Sequence, residues 1–165
     1  PEVTRAVRAL MRRDGRGDRL LVCRSESGVV EIRSDDINAR FKELVGADYS
    51  IKDLRTWHGT VLAAEAFAVA DPALSHRAAK KATAAVMKTV AEALGNTPAV
   101  ARGSYVDPRV VAAYEDGRTI EAAVSRAARL RRPGAAQEVL EKATRTLIRQ
   151  HGRSGAGTAR LAKTA

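Results

Sequence analysis

The amino-acid sequence predicts a mainly α-helical protein with at most a short β-hairpin near its N-terminus. Hydrophobic residues make up 45% of the 165 residues, whereas aromatic residues make up only 4%. Ala, Val and Leu must therefore form most of the core, which is typical of packed helices. A single domain of this length buries roughly two thirds of the surface that its unfolded chain exposes.

Apolar spacing and turn signals predict the elements of the N-terminal third. Residues 3–13 are expected to form an amphipathic helix, which the Asp-Gly-Arg-Gly stretch at residues 14–17 ends. Residues 20–22 and 29–32 are two short strand candidates. The acidic cluster at residues 34–36 favours the positive end of a helix dipole, so a second helix begins there. Its predicted core face consists of Ile37, Phe41, Leu44 and Val45.

Two longer helices are predicted next. The first begins at about residues 50–53, and its apolar side leaves Arg55 pointing away from the core. That apolar side includes Leu54, Trp57, Val61, Leu62 and Phe67. The second covers residues 75–94 and is predicted to bury Ala78, Ala82, Val86, Val90 and Leu94. Its other faces carry basic side chains that can bind phosphates as point charges, among them Arg77, Lys80 and Lys81.

A break and a restart separate the second long helix from Tyr105. Gly95 and Asn96 tolerate the left-handed conformation that ends a helix, and Pro98 fixes φ for the first turn of the next one. Tyr105 is therefore expected on a short new helix or at its exit. The small or basic residues 102–104 leave room for a large anion beside its phenol. The two remaining tyrosines, Tyr49 and Tyr114, are predicted to be packed structural aromatics.

The positive charge of the chain is concentrated near its C-terminus. The formal net charge is +10, from 29 basic and 19 acidic residues, and ten basic residues stand against two acidic ones from position 126 to position 165. Such a field attracts a polyanion, and nucleic acid is the main candidate. A plainer explanation for the tail alone is that its basic side chains only keep it in water.

Helices are also predicted from Pro108 to Tyr114, over about residues 119–130, and beyond a breaker at residues 131–134. We expect residues 1–150 to form one domain. Residues 151–165 are rich in Gly, Ala and Ser, and we expect them to form a basic tail that is disordered until it meets DNA.

Composition also argues against several classes of protein. Cys23 is the only cysteine, and the three histidines are scattered without metal-ligand spacing. No apolar run of about 18 residues and no signal-peptide pattern occurs. We therefore expect a protein of the reducing cytoplasm that has neither an intrachain disulfide nor a Cys-based zinc site.

Two short motifs carry a resemblance to a known family. Lys52-Asp53-Leu54-Arg55 fits an [H/K]-x-x-R box, and Leu94-Gly95-Asn96 precedes Tyr105, which lies nine positions after Asn96. In these motifs, and over about residues 3–148, the chain resembles the C-terminal catalytic region of the type IB DNA topoisomerases, in their bacterial and poxvirus-like branch. Lys at position 52, and Thr-Pro after Asn96, are closer to these enzymes than to the tyrosine recombinases, which share the motifs.

The resemblance implies a helical catalytic domain that relaxes supercoiled DNA without ATP, an obligatory metal or another cofactor. Tyr105 would be the nucleophile that forms a 3′-phosphotyrosyl intermediate, and Arg55 and Asn96 would stabilise the transition state. A monomer acting on double-stranded DNA in the cytoplasm, at the nucleoid, is then expected. The predicted DNA-binding residues are Lys52, Arg102, Arg77, Lys80 and Lys81.

The chain departs from the family pattern in one respect. The family uses a further Arg and a general-acid Lys upstream, and no motif identifies either of them among residues 1–51. Because the chain also begins with Pro1, we expect a C-terminal fragment that binds DNA but relaxes it weakly or not at all.

Two other functions remain open at this stage. A tyrosine recombinase or integrase would share the nucleophile but act at paired sites. A non-catalytic, basic helical protein would bind DNA and leave Tyr105 without chemistry.

Overall fold

The computed structural model describes residues 2–12, 20–26 and 28–161. This part of the chain consists of helices and one two-stranded hairpin near the N-terminus, so the prediction of a mainly α protein is confirmed. The turn predicted at residues 14–17 and the end of the tail, residues 162–165, lie outside the described residues. The chain divides into two compact units, Pro1–Ile51 and Lys52–Ala165.

The first unit holds two helices and the hairpin. Helix α1 covers Glu2–Met11, strands β1 and β2 cover Val22–Ser25 and Gly28–Glu31, and helix α2 covers Ser34–Val45. The strands pair antiparallel, with Val22 opposite Glu31. Strand β1 begins two residues later than predicted, because the turn places Ser25 opposite Gly28 and thereby fixes the register.

The predicted core face of α2 is not buried. No residue of α2 is buried, and Leu44 is 66% exposed. Ile37, Phe41 and Leu44 instead line an open apolar cavity of about 490 Å³ within this unit. A two-stranded sheet offers too little surface to cover an amphipathic helix, so the apolar pattern is real while its burial is incomplete.

The second unit is a helical bundle. Its helices are α3 (Ile51–Ala68), α4 (His76–Leu94), a single turn α5 (Pro98–Val100), α6 (Pro108–Glu115), α7 (Glu121–Ala127) and α8 (Ala135–Leu161). The core is built mainly from Ala and Val with few aromatics, as the composition predicts. Helix α7 is shorter than the predicted helix over residues 119–130.

Helix α3 enters this core only from Gly59 onward. Trp57 is half-buried and packs against the core, but Leu54 is 52% exposed. The prediction that Leu54 belongs to the apolar side is therefore wrong, since the first two turns of α3 have no buried residue.

Local signals set both ends of α4. The Ser75 hydroxyl accepts a hydrogen bond from the Ala78 N–H at 3.1 Å, and Gly95 ends the helix with φ 63°. Val86, Val90 and Leu94 are buried as predicted, whereas Ala78 and Ala82 are only partly buried. The buried face is wider than the predicted stripe and also includes Ala79, Thr83, Met87 and Ala91.

Helix α8 continues to Leu161, beyond the point where the sequence predicts a disordered tail. Ala is the strongest helix former, and a helix already under way needs no new nucleus, so continuation is favourable despite the glycines in this stretch.

Tyr114 has the structural role that the sequence predicts. Its ring stacks on Phe67 with centroids 4.5 Å apart, and its hydroxyl donates to the Asp71 carbonyl at 2.5 Å. Burial raises the pKa of Tyr114, and the nearby charge of Asp71 adds to the effect. Tyr49, in contrast, is 57% exposed, so the packed role predicted for it is wrong.

We expect Tyr114→Phe to lower the free energy of unfolding by about 1 kcal/mol, because it removes one buried hydroxyl hydrogen bond and keeps the stacked ring. Urea denaturation measures the change. Tyr49→Phe is the matched control and should stay within about 0.5 kcal/mol of the wild type. Equal stability of the two variants would contradict the role assigned to the Tyr114 hydroxyl.

Candidate functional site

The polypeptide between α4 and Tyr105 follows the predicted break and restart. The Asn96 N–H donates to the Ala91 carbonyl at 2.8 Å, which completes the helix ending at Gly95. Thr97 then accepts a hydrogen bond from the Val100 N–H at 3.3 Å and caps α5, with Pro98 in its first turn. These signals start a new helix within three residues of the old one.

Tyr105 is the last residue of a π-helix, Ala101–Tyr105, which continues directly from α5. A π-helix is rare, occurs mostly as a single turn within α-helices, and is frequent at functional sites. Ala101 at its start is fully buried, whereas Tyr105 is half-buried at the edge of the core. The wide turn thus anchors one end of the segment and leaves the phenol partly accessible.

Arg55 and Asn96 meet at one backbone oxygen. The guanidinium of Arg55 donates to the carbonyl of Leu94, the last residue of α4, and the Asn96 amide donates to the same oxygen at 3.4 Å. The negative end of the α4 dipole favours a cation at this place. The Leu94 carbonyl therefore joins the two motifs that the sequence predicts to act together.

The same guanidinium lies beside Tyr105. The Arg55 Cζ atom is 5.1 Å from the centroid of the Tyr105 ring, within the range of a cation–π contact. A guanidinium carries five N–H donors, so the bond to Leu94 leaves others that can bind an anion. A phosphate at the phenol would thus find planar, charged donors beside the Tyr105 ring.

Helix α3 holds the backbone of Tyr105 through residues that the motif analysis missed. The buried Thr60 hydroxyl donates to the Tyr105 carbonyl at 3.4 Å and accepts from the Asp107 N–H at 3.1 Å. The Thr56 hydroxyl donates to the Lys52 carbonyl of its own helix at 3.0 Å and has the Ser104 carbonyl nearby at 3.4 Å. The Thr60 hydroxyl therefore fixes the backbone directly after Tyr105, on both sides of Val106.

Gly59 permits this close approach. A Cβ atom at position 59 would lie 2.6 Å from the Tyr105 carbonyl oxygen and 3.2 Å from the Tyr105 Cβ. A glycine inside a helix lowers stability by about 1 kcal/mol relative to alanine, so its presence there indicates that a side chain would not fit. Gly59 in the helical pattern of α3 could therefore have been noticed in the sequence, but the sequence does not say which residue it contacts.

An ion pair between Asp107 and Arg109 stabilises the chain just after Tyr105, where α6 begins. Asp107 caps α6 by accepting from the Arg109 N–H at 2.9 Å, and it also binds the Arg109 side chain, with Nε at 2.9 Å. The side-chain hydrogen bonds from Arg109 lower the pKa of Asp107, although partial burial opposes the shift. The carboxylate is therefore held ionised at the end of the Tyr105 segment.

The predicted DNA-binding residues fall into two groups. Lys52 lies one turn before Arg55, and Arg102 lies on the π-helix; both are exposed. Arg77, Lys80 and Lys81 lie near the start of α4. Fourteen residues of helix separate Lys80 from Leu94, which corresponds to about 20 Å. The structure thus brings Arg55, Asn96 and Tyr105 together and leaves the α4 cations at the other end of the helix.

The described residues contain no cluster of three or more His, Cys, Asp or Glu side chains able to hold a metal ion. Within the same residues, no helix combines the length and apolar character needed to cross a bilayer.

A helical domain that brings a tyrosine and an arginine together at a helix end has a site suited to phosphate chemistry. The family model of the catalytic core of eukaryotic DNA topoisomerase I matches residues 1–132. The chain therefore belongs to the DNA topoisomerase I family, whose members are isomerases that bind DNA. None of the curated proteins compared with the chain matches it. The matched residues include Arg55, Asn96 and Tyr105 and end before α8.

We expect Gly59→Ala to destabilise the protein by about 1–3 kcal/mol, because the new methyl group meets backbone that cannot move without loss of packing. Urea denaturation measures the change. Gly152→Ala in α8 is the control, since its Cβ would meet only the Arg109 guanidinium, at an ordinary 3.9 Å. Alanine should leave stability there unchanged or raise it by up to about 1 kcal/mol. A stabilising effect at position 59 would contradict the close approach.

The ion pair of Asp107 and Arg109 predicts that the free energy of unfolding depends on pH. The pKa of Asp107 is lower in the folded state than in the unfolded state. The stability that the Asp107 carboxylate contributes is therefore fully present above its unfolded pKa of about 3.9, and it is lost as the pH falls through the folded pKa. Asp107→Asn keeps a good cap and removes the charge. The stability difference between wild type and variant should therefore be largest near neutral pH and shrink below about pH 4. Denaturation at several pH values measures it, and a constant difference would contradict the assignment.

Proposed function

We propose that this protein is a type IB DNA topoisomerase that relaxes supercoiled duplex DNA through a transient covalent bond to Tyr105. It acts as a monomer, without ATP, at the nucleoid of the cytoplasm, and it belongs to the bacterial and poxvirus-like branch. One observation carries the proposal: the Arg55 guanidinium, bound to the Leu94 carbonyl beside Asn96, lies over the ring of Tyr105.

The reaction exchanges one phosphodiester for another. The Tyr105 oxygen attacks a backbone phosphorus and loses its proton to solvent, and the bond from phosphorus to the 5′-oxygen breaks. The strand is then held as a 3′-phosphotyrosine, and the 5′-oxygen leaves as a hydroxyl after gaining a proton. Because the covalent link conserves the bond energy, the returning hydroxyl can reseal the strand after the duplex has rotated.

Arg55 and Asn96 have the chemistry that this transition state needs. A neutral phenol is a weak nucleophile, so charge that develops on the phosphoryl oxygens must be stabilised by donors already in place. The planar fork of Arg55 can bond two of those oxygens at once. Asn96 adds an uncharged donor that does not titrate. Their shared bond to Leu94 favours both side chains being in position before DNA arrives.

The leaving 5′-oxygen needs a proton that these three residues do not supply. The family resemblance assigns this role to an upstream lysine, assisted by a further arginine. No motif identifies either residue among residues 1–51, and we propose that the chain by itself cleaves slowly. A 5′-bridging sulfur in place of oxygen makes a far better leaving group, so a duplex with such a linkage should be cleaved without the general acid.

The experiment is a covalent trap. Duplexes that carry one 5′-bridging sulfur each, at successive positions, are incubated with the chain, denatured in SDS, and the adduct is mapped by peptide mass. We expect an adduct on Tyr105, much more of it than with the ordinary oxygen linkage. Tyr105→Phe should abolish it, and Tyr49→Phe should leave it unchanged because the exposed Tyr49 belongs to neither motif.

Arg55→Gln should slow formation of the adduct about 100-fold to 1,000-fold, the usual loss when one donor to a developing anion is removed. Arg55→Lys keeps the charge but not the fork, and should recover only part of the rate. An adduct on a residue other than Tyr105, or none with any substrate, would overturn the proposal and leave a DNA-binding protein without this chemistry.

A further inference from the structure

A second basic site lies next to the Tyr105 segment and includes none of the residues used above for catalysis. It is a cleft of about 560 Å³ between α3, the segment of residues 103–109 and α8. Three arginines line it, Arg109 from α6 and Arg145 and Arg149 from α8. Ser104 and Val106, the two neighbours of Tyr105, line it as well, whereas Tyr105 and Arg55 do not.

The charge of this cleft is only partly neutralised within the protein. Asp107 is the single acidic residue in its lining, and it is bound to Arg109. Arg145 and Arg149 are exposed, and neither has an ion-pair partner among the described residues. Two positive charges therefore remain in the cleft.

The spacing of these two arginines is unfavourable for the helix alone. Residues four apart lie on the same face of a helix, and like charges at that spacing destabilise it. Arg145 and Arg149 thus repel each other on α8 while both face the cleft. An anion bound between them relieves this repulsion.

We propose that this cleft, which we call the α8 cleft, binds backbone phosphates of the DNA duplex close to the one that Tyr105 attacks. The proposal rests on the proposed function, since it takes the substrate of that site as its ligand. Helix α8 begins after the residues that match the family model, so the matched core alone does not include Arg145 and Arg149. The α8 cleft extends the DNA-binding surface beyond that core.

The α8 cleft shares its wall with the catalytic segment. Thr56 and Thr60 line it, and the Thr60 hydroxyl binds the carbonyl of Tyr105. A phosphate held by Arg145 and Arg149 therefore sits against the backbone that carries the nucleophile. This position suits a contact that sets the register of the duplex, because phosphate contacts orient DNA without reading its sequence.

The test is the salt dependence of duplex binding. Affinity is measured at several salt concentrations by fluorescence anisotropy, in the Tyr105→Phe chain so that cleavage plays no part. Each phosphate contact contributes about 0.9 to the slope of log affinity against log salt concentration. Removing two contacts with Arg145→Gln and Arg149→Gln together should lower the slope by nearly 2 and weaken binding about equally for unrelated sequences.

Two controls separate the α8 cleft from general charge. Arg126→Gln with Arg129→Gln removes the same charge from exposed positions outside the cleft, and should change the slope much less. Arg145→Lys with Arg149→Lys keeps two point charges and should retain most of the slope. Equal slopes for the two glutamine pairs would overturn the proposal of the α8 cleft while leaving the proposed function standing. No binding by the unsubstituted Tyr105→Phe chain would instead overturn the proposed function.

Discussion

The close contact between α3 and the backbone of Tyr105 is the constraint on which the rest of the site depends. Gly59 lets the two backbones approach closely, and the buried Thr60 hydroxyl uses that approach to bind both sides of Val106. Because α3 also carries Arg55, one rigid helix sets the position of the cation and of the tyrosine together. After Tyr105, the ion pair of Asp107 and Arg109 stabilises the start of α6.

At the end of α4, a backbone carbonyl rather than a side chain orients Arg55 and Asn96. A helix terminus leaves carbonyls without partners, and the Leu94 carbonyl receives both the Arg55 guanidinium and the Asn96 amide. By ending α4, Gly95 leaves the Leu94 carbonyl oxygen free to accept hydrogen bonds from the Arg55 and Asn96 side chains. The bundle core of small residues allows the helices that meet here to pack closely.

The sequence predicts the helices of the second unit well, because their ends carry local signals such as the Ser75 cap and the Gly95 turn. The sequence does not predict burial where burial depends on a neighbouring element. The apolar pattern of α2, or an apolar residue such as Leu54, does not show whether another element packs against it. The family resemblance carried by the two motifs singled out Arg55, Asn96 and Tyr105 together, whereas composition and periodicity alone did not. The hydroxyl contacts beneath these residues and the α8 cleft could not be predicted, because they arise only when distant segments pack together.

The most direct test of this account compares two buried threonines. Thr60→Val removes the hydroxyl that holds Tyr105, whereas Thr83→Val removes one that has no hydrogen-bond partner among the described residues. Single-turnover formation of the covalent adduct should slow by about 10-fold to 100-fold in Thr60→Val, since small misplacements of a reacting group have effects of that size, with DNA affinity unchanged. Thr83→Val should react at the wild-type rate. Adduct formation by Thr60→Val at the wild-type rate would contradict the claim that α3 positions Tyr105.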